Sequence, residues 1–114
     1  MDSIRIAVVG VGRIGLTHAQ ALARQVPGAE LVAVTTSDPE RAAKARQCCG
    51  AVHVYPDLAA LLDAERLEAV VIASSTSAHA DNVVACAEAG LDIFCEKPLA
   101  LTLADCDRAI AATE

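Results

Sequence analysis

Two short stretches hold the residues whose types and spacing could do chemistry. The first is Val8-Val9-Gly10-Val11-Gly12-Arg13-Ile14-Gly15, the second Glu96-Lys97-Pro98. The three glycines of the first stand in a G-x-G-x-x-G spacing, a weak signal alone because glycine is common. Its position strengthens it, directly after an apolar strand-like run and at the mouth of a helical pattern. There Gly10 would allow a tight turn, Gly12 would let a pyrophosphate approach the backbone, and Gly15 would let the helix pack close on the sheet. The free N–H groups of the first helical turn, at Arg13 and Ile14, would hold the diphosphate with help from the helix dipole. The competing reading is a plain glycine turn without a ligand. In the second stretch an amine follows another apolar run. A lysine so placed could move a proton, although on composition alone a solvated lysine after an edge strand is the plainer reading.

A dinucleotide fingerprint of this kind usually carries an acid about 20 residues on, which bonds the adenosine ribose. Here the second strand ends in Thr35, Thr36 and Ser37, and the nearest acid, Asp38, precedes Pro39 as a helix cap would. The hydroxyls of Thr36 and Ser37 could serve a ribose. With Arg41 as counter-charge they could instead meet a 2′-phosphate, and a hydroxyl trio is also ordinary turn chemistry. NAD and NADP both stay open, with a lean to NAD because no arginine occupies the strand end.

The elements that must position these groups follow from hydrophobic period and punctuation. Short apolar strands are expected at 4–9, 30–35, 51–54, 69–73 and 92–95. Helical patterns fall at 13–26 (halted by Pro27-Gly28), from Asp38-Pro39 to Gly50, after Asp57, at 78–89 (ended by Gly90), and after Thr102-Leu103-Ala104-Asp105, which has capping-box spacing. Strands alternating with helices imply right-handed βαβ units. The expected fold is a doubly wound, Rossmann-type parallel α/β sheet of about five strands in the order 3-2-1-4-5. Helices cover both faces, and residues 1–114 form a single domain.

Composition narrows the function classes. The 114 residues carry 15 Asp and Glu against 9 Lys and Arg, and no basic block, which argues against nucleic acid and anionic membrane as partners. No apolar run approaches a bilayer span and no leader peptide is recognisable, so the expected compartment is cytoplasmic. The five cysteines, at 48, 49, 86, 95 and 106, are odd in number and lack a Cys-x-x-Cys pair. They read as reduced, mostly buried thiols rather than a disulfide framework or a zinc site, and no metal is expected. Cys95, two residues from Lys97, is the only thiol with any claim on chemistry.

With the glycine turn in place, "VVIASSTSAHADNV" (70–83), "DIFCEKPLALT" (92–102) and "GRIGLTHAQAL" (12–22) resemble the strand and helix signatures of the glucose–fructose oxidoreductase/inositol 2-dehydrogenase (Gfo/Idh/MocA) family. The resemblance covers the whole chain. It implies an NAD(P)-dependent oxidation of the CH–OH group of a polyol, sugar or cyclitol, with Lys97 beside the reacting carbon, orienting the substrate hydroxyl and assisting its proton transfer. It implies further that Glu96 meets the nicotinamide ribose or carboxamide. Pro98 would set the turn, through a cis peptide if need be, and the loop Ser74-Ser75-Thr76 to His79 would line the nicotinamide side. Ser75 stands where the family commonly has proline. His79 in such a position more often packs against a loop than meets a cofactor, and His18 reads as a hydrogen-bonded packing residue behind the glycine turn rather than a catalyst. His53 has nothing to recommend it.

The family's remaining two-thirds forms a second domain holding the substrate pocket, and a sixth parallel strand would follow the last helix. Neither is expected within these 114 residues, so the chain is expected to be inactive alone. A reading from another class is a non-catalytic module that binds a dinucleotide or a partner chain. The exposed edge of strand five would then invite homo-oligomerisation.

Overall fold

The computed structural model describes residues 3–114, and the order of elements is strictly alternating. Five strands, β1 (Ile4–Val9), β2 (Ala29–Thr35), β3 (His53–Tyr55), β4 (Ala69–Ile72) and β5 (Asp92–Cys95), alternate with α1 (Arg13–Arg24), α2 (Pro39–Cys49), α3 (Leu58–Ala64), α4 (Thr76–Glu88) and α5 (Leu103–Thr113). The sheet runs β3-β2-β1-β4-β5 with every pairing parallel, the expected doubly wound order. Strand order reverses between β1 and β4, so the connections leaving these two strands diverge and open a crevice at their carboxyl ends.

Alternation along the strands divides the core into two layers. Ala7, Val9, Ala33, Val70 and Ile72 face Leu61, Val83, Cys86 and Ala109 on one side. Val8 and Val34 face Ala19, Ala45 and Cys49 on the other. Both layers rely on Ala and Val, so the helices lie close to the sheet and small volume changes there will be felt.

Three helices begin as the sequence implies. Asp38 accepts from Glu40 N at 2.9 Å with Pro39 opening α2, Asp57 accepts from Ala60 N at 2.8 Å, and Thr102 accepts from Asp105 N at 3.1 Å. The return arm of that last capping box is diverted, because the Asp105 carboxylate accepts from Arg108 instead. Boundaries move by one or two residues elsewhere. α1 stops at Arg24 and β4 at Ile72. β3 falls at 53–55 rather than 51–54, where Thr35 of β2 draws Tyr55 into register. α4 begins at Thr76 rather than 78, its polar first turn having read as loop. No helix among the described residues is long and apolar enough to cross a membrane.

Candidate functional site

The glycine turn is built as its spacing implies, and the three glycines prove to have different reasons. Gly10 has φ +89, in the region that favours glycine, and a Cβ there would lie 2.8 Å from Ser74 Cα and 2.9 Å from Ala73 O. At Gly15 a Cβ would lie 1.8 Å from the Gly10 carbonyl oxygen, so only glycine lets α1 approach β1 this closely. Gly12 is otherwise: its φ is −66, and the nearest atom to a Cβ would be Arg41 Nη1 at 3.9 Å. Nothing among the described residues requires glycine at 12. What a side chain there would enter is a cavity of about 550 Å³, lined by Gly10, Val11, Gly12, Arg13, Ile14, Thr35, Thr36, Ser37, Arg41, Ala73, Ser74 and Ser75.

This cavity occupies the crevice where strand order reverses. α1 and α4 differ from the other three helices in starting without a side-chain cap, at Gly12 and Ser75 respectively. Both starts border the cavity, and at the start of α1 the uncapped N–H groups of Arg13 and Ile14 are free to bind an anion. An anionic, elongated ligand fits this donor set. The backbone would hold a diphosphate over Gly12, and the Arg13 and Arg41 side chains supply positive charge in a chain of formal net charge −6.

The hydroxyls after β2 divide their work. Thr35, buried, accepts from Gly10 N at 3.1 Å and so ties the glycine turn to β2. Thr36 accepts from Asp38 N at 3.1 Å, an ordinary hydroxyl turn that leaves its own hydrogen to donate into the cavity. Ser37 lines the cavity. Arg41 reaches across from α2, with its Nε 3.9 Å from the Asp38 carboxylate. Ser74 donates to Asn82 Oδ1 at 2.6 Å, and the Ser75 and Ser77 hydroxyls are 3.3 Å apart.

Not every expected residue reaches this cavity. Gly15 lies behind it, and Thr76, the first residue of α4, is not part of its wall. Of the two readings of His79, packing against a loop holds and the cofactor contact does not: it is 2% exposed, its Nε2 lies 2.8 Å from Ser74 O and its Nδ1 2.9 Å from Pro98 O. Both ring nitrogens face carbonyl oxygens at hydrogen-bond distance, so the ring is a strut joining the loop after β4 to the turn after β5.

Glu96, Lys97 and Pro98 follow β5, one strand along from the cavity. Glu96 N still donates to Ile72 O at 2.9 Å, extending the β4–β5 ladder, and the Lys97–Pro98 peptide is cis. Lys97 is exposed and makes no ion pair among the described residues. The Glu96 carboxylate accepts from His18 Nε2 at 2.5 Å, and the His18 ring meets Phe94 edge-on with centroids 5.6 Å apart. His18 is thus a hydrogen-bonded packing residue, as the sequence implies, although nothing in the sequence pointed to a partner 78 residues away. It also passed over His53, whose Nδ1 meets Glu65 Oε2, the oxygen that accepts from the Tyr55 hydroxyl at 2.6 Å. These two bonds, Tyr55 first, hold the Glu65 carboxyl below its ordinary range.

The cysteines are all free. Burial pushes the Cys86 thiol up to about 11, and burial with the neighbouring Glu96 carboxylate raises Cys95. A raised thiol carries less of the nucleophilic thiolate, and the Cys95 sulfur faces Glu96 O at 3.5 Å, both of which argue against a nucleophilic role for it.

A parallel sheet with a glycine cradle and an uncapped helix start at its switch point defines a dinucleotide-binding domain. The chain belongs to the Gfo/Idh/MocA oxidoreductase family, whose model, described as an NAD-binding Rossmann fold, matches residues 4–114. It is 40% identical over 111 residues to a myo-inositol 2-dehydrogenase of Thermotoga maritima, covering 97% of this chain and 33% of that protein. It is 42% identical over 110 residues to inositol 2-dehydrogenase 3 of Saccharopolyspora erythraea, covering 96% and 32%. The crystal structure of a Lactobacillus casei scyllo-inositol dehydrogenase with bound NAD(H) and scyllo-inositol superimposes with a TM-score of 0.92 at 28% identity, covering 97% of this chain and 33% of that one. The chain thus spans about a third of the length of the relatives it matches.

Proposed function

We propose that residues 1–114 are the cofactor domain of an oxidoreductase acting on the CH–OH group of a polyol, sugar or cyclitol, with NAD as the cofactor. The observation that carries the reading is the contrast at the glycine turn: a Cβ at Gly10 or Gly15 would strike backbone, while one at Gly12 would meet nothing closer than Arg41 Nη1 at 3.9 Å and would enter the cavity. In this reading the backbone at Gly10, Gly12, Arg13 and Ile14 holds the diphosphate. Thr36, Ser37 and Arg41 face the adenosine ribose. Ser74, Ser75, Thr76, Glu96, Lys97 and Pro98 receive the nicotinamide half, which an extended dinucleotide brings toward the far side of the switch point.

The bound nicotinamide would accept or supply hydride. The chain's own share is to hold the ring's half of the crevice and to offer the Lys97 ammonium to the substrate hydroxyl, orienting it and taking part in its proton transfer. Lys97 is exposed, so the wall that holds a substrate against it is expected from outside these residues, and turnover by this chain alone is expected to be negligible. The preference for NAD rests on the absence of an arginine at the end of β2 and on the NAD(H) bound in the L. casei relative.

The test is a fluorescence titration with NADH and NADPH, followed by polyol oxidation in the presence of a relative's substrate domain. NADH should bind more tightly than NADPH, and any restored activity should vanish in Lys97→Ala. If neither nucleotide binds, the assignment falls. A second reading is favoured by the outer edge of β5, which among the described residues pairs with β4 alone and exposes Phe94 at 55%. It makes the chain a non-catalytic module that pairs with a second copy through that edge. Sedimentation showing only monomer across micromolar concentrations would count against it.

A further inference from the structure

The turn that carries Lys97 is held from both sides by imidazoles that no motif assigns. On one side the His79 ring reaches Pro98 O from α4. On the other, His18 reaches the Glu96 carboxylate from α1. Between the two anchored neighbours Lys97 stands exposed. His79 is buried in the core and its removal would disturb packing generally. His18 is different, with its side chain 30% exposed and that of Glu96 27% exposed, so their contact is a local one at the lip of the crevice.

We infer that His18 is a positioning residue: its hydrogen bond to Glu96 Oε1 aims the Glu96 carboxylate across the end of β5, where the nicotinamide half of the dinucleotide would lie. A free glutamate side chain has three rotatable bonds, and ordering it on ligand binding opposes binding. His18 meets that cost beforehand. Its Nε2 holds one oxygen at 2.5 Å, and the edge-on contact with Phe94 holds the ring that does so. The other carboxylate oxygen has no protein partner among the described residues and is left as an acceptor for a ligand hydroxyl or amide. α1 therefore serves the crevice twice. Its first turn offers N–H groups to an anion, and one turn later His18 prepares an acceptor for the opposite end of the same ligand.

The inference rests on the cofactor reading above, and the test separates the two. NADH and ADP-ribose, which lacks the nicotinamide, are titrated into the wild-type chain, His18→Ala, His18→Gln and Glu96→Gln, each checked for native circular dichroism. His18→Ala should raise the Kd for NADH about five- to tenfold, the scale of ordering one glutamate side chain, while the Kd for ADP-ribose stays within about twofold. His18→Gln, which keeps a donor, should recover most of the loss. The double variant His18→Ala/Glu96→Gln should be no worse than the poorer single one, since both remove one contact. Equal weakening toward both ligands would mean that His18 only packs and would overturn the inference, as would unchanged NADH binding or additive losses in the double variant. If the wild-type chain binds neither ligand, the cofactor reading falls and the inference with it. Should His18→Ala lose its fold, the NADH to ADP-ribose ratio in Glu96→Gln decides the matter.

Discussion

The division of labour among the three glycines can be measured by two alanine substitutions with opposite signatures. In Gly15→Ala the new methyl carbon would sit 1.8 Å from the Gly10 carbonyl oxygen, against a comfortable contact of about 3.5 Å. The obstacle is backbone, so the start of α1 must move off β1 by more than about 1 Å. Overpacking of this kind costs about 1–3 kcal/mol. The helical preference of alanine over glycine returns at most about 1 kcal/mol. A net loss near 2 kcal/mol would lower Tm by roughly 8 °C in a domain of this size. In Gly12→Ala the backbone is already at φ −66 and the methyl meets nothing closer than 3.9 Å. Losing glycine at a helix N-cap costs up to about 1 kcal/mol, and the stiffer unfolded chain returns about 0.4–1 kcal/mol. Stability should therefore stay within about 1 kcal/mol of wild type. Binding should not: a methyl standing in the cradle pushes the diphosphate off the amides of Arg13 and Ile14, and a tenfold rise in the Kd for NADH corresponds to about 1.4 kcal/mol. Thermal melts paired with NADH titration read both quantities on the same samples. Gly12→Ala that binds NADH like wild type would refute the cradle, whatever Gly15→Ala does.

Three further outcomes are expected. Thr36→Asp should shift the NADH to NADPH affinity ratio toward NADH by about tenfold or more, because a carboxylate accepts from a ribose diol and repels a 2′-phosphate; an unchanged ratio would remove Thr36 from the ribose site. The Glu65 carboxyl is held below its ordinary range by the Tyr55 hydroxyl, His53 and Arg5, so its contribution is fully present above the unfolded carboxylate value near pH 4.3 and is lost as pH falls through the lower folded value. Glu65→Gln should cost about 1–2 kcal/mol at neutral pH and show a shallower acid decline in Tm than wild type; parallel declines would exclude this group. Alkylation at neutral pH followed by mass spectrometry should leave Cys86 unmodified in the folded chain and modify all five cysteines after unfolding, since burial pushes the Cys86 thiol up to about 11. Early labelling of Cys86 would contradict its burial.

What could be read from the sequence was what depends on neighbours along the chain. The caps at Asp38, Asp57 and Thr102 are bonds across two or three residues, and each forms as its spacing implies. β5 falls on Asp92–Cys95 as expected because Gly90 and Glu96 punctuate a short apolar run. The glycine turn was legible for the same reason, including the separate roles of its glycines, with Gly10 and Gly15 serving the turn and the packing and Gly12 left for a ligand. The structure adds the distances behind the first two, from Gly10 to the loop after β4 and from Gly15 to the Gly10 carbonyl. The start of α4 was missed because Thr76 and Ser77 suit a loop as well as a first helical turn.

The histidines show where such reading stops. All three have polar partners in the fold, and two of the four partners are carbonyl oxygens, which every residue carries and no sequence pattern can single out. His79 kept a lesser claim as a cofactor contact because it lies five residues after Ser74. A helical start at Thr76 turns its ring inward beneath the loop that Ser74 belongs to, so nearness in sequence to the crevice becomes burial behind it. His18 looked like packing because it lies one turn behind the glycines. The switch in strand order carries β5 past the flank of α1, and a residue on the back of the nucleotide helix becomes the neighbour of Glu96. The same reversal that opens the crevice thus decides which histidine stands at its lip and which supports it from below, and only the order of the strands holds that information.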